Sequence, residues 1–328
     1  MIPIGSKLLE STIGSYRVEI EKMLKTAQDA LALVRQDFAG TFNTDELAYL
    51  DKVILFFNED GYISLNQEKI RQKATLLPQI PVRTILKDGN DQPTQSLTAH
   101  ILEALNYEAI RKRFYPKFFK SLGISACVYC NSQSALSVYK TSPGGRTKTV
   151  KAKYQLDHYI PKDDFPFLSI CFYNLYPVCG ICNNAKKESP IDFDLYGDQP
   201  GKPYRFELSA GSLAGYLLHG DPGRIRIIFI DPDKDKFKGT KTKTFQEAFN
   251  IQGIYETQKD VAEELIIKSQ VYTESYRDAL KNSFGRLLSD EDLSNRILVG
   301  NYTDKDDIHK RPMAKFMQDI ARQLDILK

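Results

Sequence analysis

The chain has 328 residues, 42% of them hydrophobic and 27% charged, with a formal net charge of +3 at pH 7. That length allows two or three domains with a sizeable core, and the near-neutral balance excludes a uniformly basic, histone-like coat while permitting a local basic patch. No run approaches the roughly eighteen apolar residues of a membrane span, and Met1-Ile2-Pro3-Ile4-Gly5-Ser6-Lys7 has no apolar stretch behind a basic start. A protein without membrane contact, acting in the cytoplasm, is therefore expected.

Residues 1 to about 120 read as helical. Tyr16, Ile20, Met23, Leu24, Ala27, Leu31 and Val34 recur at helix spacing. A second helix is expected over Glu46 to Phe57, ended by the turn Asn58-Glu59-Asp60-Gly61, and a third over Leu97 to Phe114, with a loop at Lys87-Asp88-Gly89-Asn90-Asp91-Gln92-Pro93 between them. From about 121 to 200 the chain breaks into short pieces rich in Gly, Pro and Cys. Residues 203 to 230 look strand-like, through Tyr204 to Leu208 and Ile225 to Ile230. Beyond Asp231 a charged loop leads to helices. Val261, Leu265, Tyr272, Tyr276 and Leu280 mark one amphipathic face, and Phe316, Ile320 and Leu324 mark a closing helix. The pattern predicts an α+β architecture in three stretches: 1–120, 121–200 and 201–328.

The middle stretch carries the chemistry. Four of the five cysteines form two CxxC pairs, Cys127/Cys130 and Cys179/Cys182. Each such turn sets two thiolates at the separation zinc needs, and two turns close a tetrahedral site. Four sulfurs leave no open position for a substrate, so this Zn2+ is expected to be structural. A thioredoxin-like role would need a CxxC opening a helix in a βαβ unit, which neither pair shows. Cys171 reads as a buried small apolar residue.

Between the pairs stand Asp157-His158 and Asn174, and Asn183 follows directly after Cys182. A zinc knuckle requires none of these. Alternation along a strand turns Asp157 and His158 to opposite sides, so both serve one site only at a strand end or bulge, and Pro161 supplies a break nearby. Hydrolysis of a phosphodiester needs an activated water and neutralised phosphate charge. A neutral imidazole can take the water proton near pH 7. A hard divalent ion held by oxygen ligands stabilises the charge. Asp157 and the Asn183 carboxamide have suitable oxygens, and Asn174 can hydrogen-bond backbone to shape the histidine turn.

The order CxxC…Leu-Asp-His-x-x-Pro-Lys…Asn-Leu-x-Pro-x-Cys-x-x-Cys-Asn-x-x-Lys, over Cys127 to Lys186, resembles the HNH endonuclease family with its ββα-metal fold. The resemblance implies His158 as general base, Asp157 and Asn183 as ligands of a catalytic Mg2+ or Mn2+, Asn174 as the asparagine pinning the loop, and the four cysteines as ligands of structural zinc. It also implies DNA as substrate. The family's last histidine is an asparagine here, which disfavours a soft catalytic metal. The overall plan resembles nuclease effectors of anti-phage defence, including the Septu type, which implies a partner ATPase or other defence-system protein.

Basic residues add candidate phosphate contacts. Lys140, Arg146, Lys148, Lys151 and Lys153 lie with no acid among them around the turn Ser142-Pro143-Gly144-Gly145, a basic hairpin that is either solvated or a nucleic-acid contact. Lys162, and Lys186 one turn after Asn183, are further candidates. Asp231-x-Asp233-x-Asp235 lacks the glycine and glutamate of a calcium loop. His100, His219 and His309 are expected to be structural, and no phosphate-binding P-loop occurs. Two other readings stay open: a zinc-stabilised nucleic-acid or protein adaptor without catalysis, and a toxin-like nuclease held in check by a partner.

Overall fold

Helix formation in the N-terminal stretch follows the apolar spacing. In the computed structural model, α1 (Ser6–Ser15) is followed by α2 (Arg17–Asp37), which buries Ile20, Ala27 and Leu31. The structure describes residues 3–59, 61–77, 79–81, 86–87, 93–142, 145, 148–186, 190–197, 204–286 and 288–327, with the side chains of 86, 87, 93 and 94 excepted. Asp60, residues 88–92 of the expected loop, Pro143, Gly144 and Arg146 therefore lie outside the described residues. The third helix, α3 (Thr44–Phe57), opens with a capping box: Asn43 Oδ1 accepts from Glu46 N, and Glu46 Oε2 from Asn43 N, each at 2.9 Å. These bonds satisfy two backbone donors that a helix start leaves free.

After α4 (Gln67–Leu76) and the short pair β1 (Leu86–Lys87) and β2 (Pro93–Thr94), the expected single helix over Leu97 to Phe114 proves to be two. Asn106 has φ 51°, a left-handed conformation that asparagine tolerates, and it separates α5 (Leu97–Ala104) from α6 (Tyr107–Arg113). The reset turns Tyr107 and Ile110 into the core. Helix α7 (Tyr115–Ser121) follows.

The middle stretch holds two antiparallel pairs. Strands β3 (Leu136–Thr141) and β4 (Lys148–Lys153) form a ribbon over six rungs. Strands β5 (Gln155–His158) and β6 (Leu175–Val178) form a hairpin with Asp157 opposite Tyr176 and His158 opposite Leu175. Helix α8 (Gly180–Lys186) starts inside the second cysteine pair and packs on β5, so this CxxC does open a helix, but after an antiparallel hairpin and not in a βαβ unit.

Strands β7 (Arg205–Leu208) and β8 (Ile227–Ile230) pair antiparallel, but the strand-like reading of 203–230 is corrected between them by helix α9 (Ala210–His219). Two glycines in its first two turns lower helix propensity and hide it from the sequence. Then come α10 (Phe245–Phe249), α11 (Ile251–Glu256), α12 (Lys259–Val271), α13 (Glu274–Ser283), α14 (Glu291–Val299) and α15 (Ala314–Gln323). The expected face from Val261 to Leu280 is split between α12, which buries Leu265, and α13, which buries nothing. Phe316 and Ile320 of α15 are buried, as their spacing implies.

The fold is α+β, mainly helical, with small antiparallel sheets. A single buried cluster draws residues from all three stretches of chain. The outer two brace the middle one. Tyr115 Oη donates to Ile170 O at 2.8 Å, and Gln67 Nε2 to Tyr176 Oη at 2.8 Å. From the C-terminal side, Tyr255 Oη donates to Cys130 O at 2.8 Å and Asn131 Nδ2 to Ile308 O at 2.9 Å. Among the described residues, no helix is long and apolar enough to cross a membrane.

Candidate functional site

The two cysteine pairs converge. The Sγ atoms of Cys127, Cys130, Cys179 and Cys182 all lie within 4.8 Å of one another, and all four residues are buried. A tetrahedral zinc with its usual thiolate bonds needs sulfurs about 3.8 Å apart, and Cys130 and Cys179 stand at 4.0 Å. The donor set fits a structural metal such as zinc. Its turns are locally built: Asn131, at φ 55°, donates its N–H to Cys127 O at 2.8 Å and closes the first knuckle. Ser132 Oγ donates to Cys130 Sγ at 3.3 Å, and Cys182 N–H to Cys179 Sγ at 3.4 Å. Such donors favour thiolate over thiol, and the neighbouring thiols of Cys127, Cys179 and Cys182 pull Cys130 below the usual thiol range. Cys171 stands apart, fully buried, its thiol raised by burial.

The hairpin, its connecting loop and α8 gather the remaining candidates. Asn174 is fully buried and staples the turn after His158: its Oδ1 accepts from Ile160 N at 2.7 Å, and its Nδ2 donates to Ile160 O and Leu168 O, each at 3.1 Å. An amide with both ends used on backbone fixes that turn in one conformation.

Asp157 is 8% exposed and its Oδ2 is doubly held. Tyr129 Oη donates to it at 2.5 Å and Lys186 Nζ at 2.6 Å, while Lys186 also donates to His158 O at 2.8 Å. Both partners come from the cysteine segments: Tyr129 lies between Cys127 and Cys130, and Lys186 one turn after Cys182. The knuckles thus position the groups that hold Asp157. This corrects the expectation for Lys186, which is 3% exposed and serves as an internal counter-ion, with no face turned toward an outside phosphate.

His158 leaves β5 on the opposite side. The β5–β6 register runs without a bulge, so alternation holds and the ring does not join Asp157. Its Nε2 is 3.1 Å from Ser169 O, and its ring centroid is 5.6 Å from that of Tyr107 on α6. A carbonyl only accepts, so Nε2 carries the proton and Nδ1 holds the free lone pair. Burial lowers the His158 pKa to about 3, against the pull of the Ser169 carbonyl and with Lys162 and Lys186 lowering it further. The imidazole is neutral across the physiological range.

Asn183 is half-buried on α8, and its Nδ2 donates to Gln155 Oε1 at 2.7 Å. Gln155 and Asp157 share one side of β5, so Asn183 and Asp157 flank the same strip, but each has its own protein partner and they do not converge on a point. Their oxygens are the right kind for a hard cation; the charge seated on Asp157 is the Lys186 ammonium. Lys162 pairs with Asp163 at 2.5 Å. Lys148 and Lys151 are exposed on β4.

Elsewhere, the His100 ring packs tilted against Phe38 with centroids 4.1 Å apart, the His309 carbonyl accepts from Ser125 and Ala126, and His219 is exposed at the end of α9. Asp231 spends both oxygens on backbone, accepting from Asp233 N and Gln246 N. Sequence reasoning missed Tyr129, whose signal was an aromatic hydroxyl inside a CxxC turn. It also missed Arg71, which bonds Tyr159 and pairs with Asp192 at 2.6 Å beside the site. Compared with known protein families, curated proteins and solved structures, the chain matches none.

Proposed function

We propose that this chain is a DNA endonuclease of the HNH kind, hydrolysing phosphodiester bonds with His158 as general base. One observation supports the reading above the others. The ordered unit of hairpin, asparagine-stapled turn and helix, clamped by two cysteine pairs, carries Asp157, His158, Asn174 and Asn183 on adjoining elements. A neutral imidazole with Nδ1 free can accept a water proton, although a pKa held at about 3 makes it a weaker base than one poised near ~7. Asn174 keeps the turn beyond His158 from shifting, so the ring direction is set before substrate arrives. Mg2+ or Mn2+ would be held by Asp157 and Asn183 and would supply charge stabilisation at the phosphate; Lys186 must leave Asp157 for that. The choice of DNA, and of an ATPase or other defence-system partner, rests on the family resemblance.

A second reading, a zinc-stabilised nucleic-acid adaptor, is favoured by a specific observation: Asp157 is already neutralised by Lys186, and His158 Nε2 is spent on Ser169 O. Plasmid nicking with Mg2+ or Mn2+ separates the two. The nuclease reading requires cutting by the wild-type protein and a loss of at least ~10²-fold in His158→Ala, the lower range for a general base, with zinc retained. Equal cutting by both proteins removes His158 from the mechanism. DNA binding without any cutting supports the adaptor.

A further inference from the structure

Residues 109–156 contain ten lysines and arginines and no aspartate or glutamate. The rest of the chain has 35 basic against 42 acidic residues, a net of −7. The positive charge is therefore concentrated in one segment, which runs from the end of α6 through α7 and the first knuckle to β4. Part of it is answered within the protein. Arg111 and Lys112 reach Glu108, and Lys117 stands 3.9 Å from Glu19. Lys120 lies 4.5 Å over the Tyr139 ring. The ribbon lysines are different: Lys140, Lys148, Lys151 and Lys153 are exposed, and none has an ion-pair partner among the described residues.

The ribbon's shape matters as much as its charge. Near its base it packs on α6 and α7, and Ser137 and Val138 are half-buried. At the far rungs, Lys140 opposite Thr149 and Thr141 opposite Lys148, residues on both sides of the pleat are exposed, so neither face is covered there. Lys151 and Lys153 share one face with Lys140. Two residues along a strand advance about 6.8 Å, close to two of the ~3.4 Å steps between charges along one DNA strand. A two-stranded ribbon fits the B-form major groove, whereas the A-form groove of duplex RNA is too narrow for it.

We infer that the β3–β4 ribbon is a docking surface for double-helical DNA, with its lysines on backbone phosphates and its far rungs in the major groove. The inference deepens the DNA reading above but stands on residues outside the candidate catalytic unit. Phosphate contacts carry no sequence information, so the ribbon supplies affinity and orientation rather than choice of site.

The test is anisotropy binding of the zinc-loaded full chain to a short DNA duplex, without Mg2+ or Mn2+, between about 50 and 200 mM salt. Replacing Lys140, Lys151 and Lys153 together by alanine is expected to weaken binding at least about tenfold and to reduce the slope of log K against log salt by about 2 to 3. The triple arginine variant is expected to bind as wild type, which separates lost charge from lost fold. An unchanged slope in the alanine variant overturns the inference, and equal affinity for duplex RNA overturns the groove assignment. The nuclease reading is judged separately. Lysine-dependent binding without any nicking defeats that reading and leaves the ribbon; normal nicking with undiminished affinity in the alanine variant defeats the ribbon alone.

Discussion

Two antiparallel pairs follow one another along the chain, β3–β4 and β5–β6, and the lysines beside them have opposite fates. Lys186, on the helix covering β5, is 3% exposed and committed to Asp157. Lys151, on the ribbon, is exposed and unpaired among the described residues. The residue type is the same, and the difference is what lies above the strand. A lysine pointing from a helix down onto the strand it covers must find an anion inside the protein, because an unpaired buried charge costs several kcal/mol. A lysine on an open ribbon keeps its water and is free for an external anion. The buried pair thus serves architecture, while the exposed set is available for recognition.

That contrast can be broken most forcefully at the cysteines. Zinc-site binding in small metal-folded units is worth on the order of 10 kcal/mol or more. Cys127→Ser is expected to lose zinc and to loosen Tyr129 and Lys186 around Asp157, read as lost metal content together with a lower melting temperature. A wild-type protein without zinc, and an unchanged melt in the variant, would show that the four sulfurs are ordinary core residues.

Next in size is Lys186→Met, which strands the Asp157 carboxylate. Removing one partner of a buried pair costs about 3–5 kcal/mol, read by denaturant unfolding. If Asp157 also accepts a hard cation, added Mg2+ should raise the melting temperature of this variant more than that of wild type. A variant as stable as wild type would mean that the ion pair is open to solvent.

Acid supplies a smaller and more gradual test. His158 has a folded-state pKa of about 3 against an ordinary 6.5. The unfolded chain therefore binds the proton more readily, and stability is full above about pH 6.5 and falls as pH drops toward 3. The loss attributable to this group is of order a few kcal/mol, and a pH series of wild type against His158→Gln isolates it. If His158 is the base, the acid limb of cleavage also lies well below pH 6.5. A limb at the ordinary histidine value would place the ring in water.

The smallest expected effect is on the ribbon. Lys151→Ala should change stability by no more than about 0.5 kcal/mol, since the side chain supports nothing inside the protein. A larger loss would move it from recognition to architecture.

Much of the site was legible in the sequence because its signals are local. A CxxC turn needs only four residues, and the cysteine pairs meet as that spacing implies. Asn174, read as a backbone staple, makes three such bonds. Alternation warned that Asp157 and His158 would part unless the strand broke, and the unbroken ladder keeps them on opposite sides. Helix α9 and the split at Asn106 were illegible because glycine-weakened propensity and a single left-handed residue leave little trace in apolar spacing.

By itself the sequence determined which side chains could bind a soft metal, which turns could form, and that positive charge gathers in one segment, since composition and short spacing are properties of neighbouring residues. Only the tertiary structure decided that Lys186 turns inward to Asp157, that Tyr129 joins it, and that the C-terminal helices brace the first knuckle through Asn131 and Tyr255. Those outcomes depend on which distant segment covers each polar group, and burial is a property of the packed chain that no local pattern encodes.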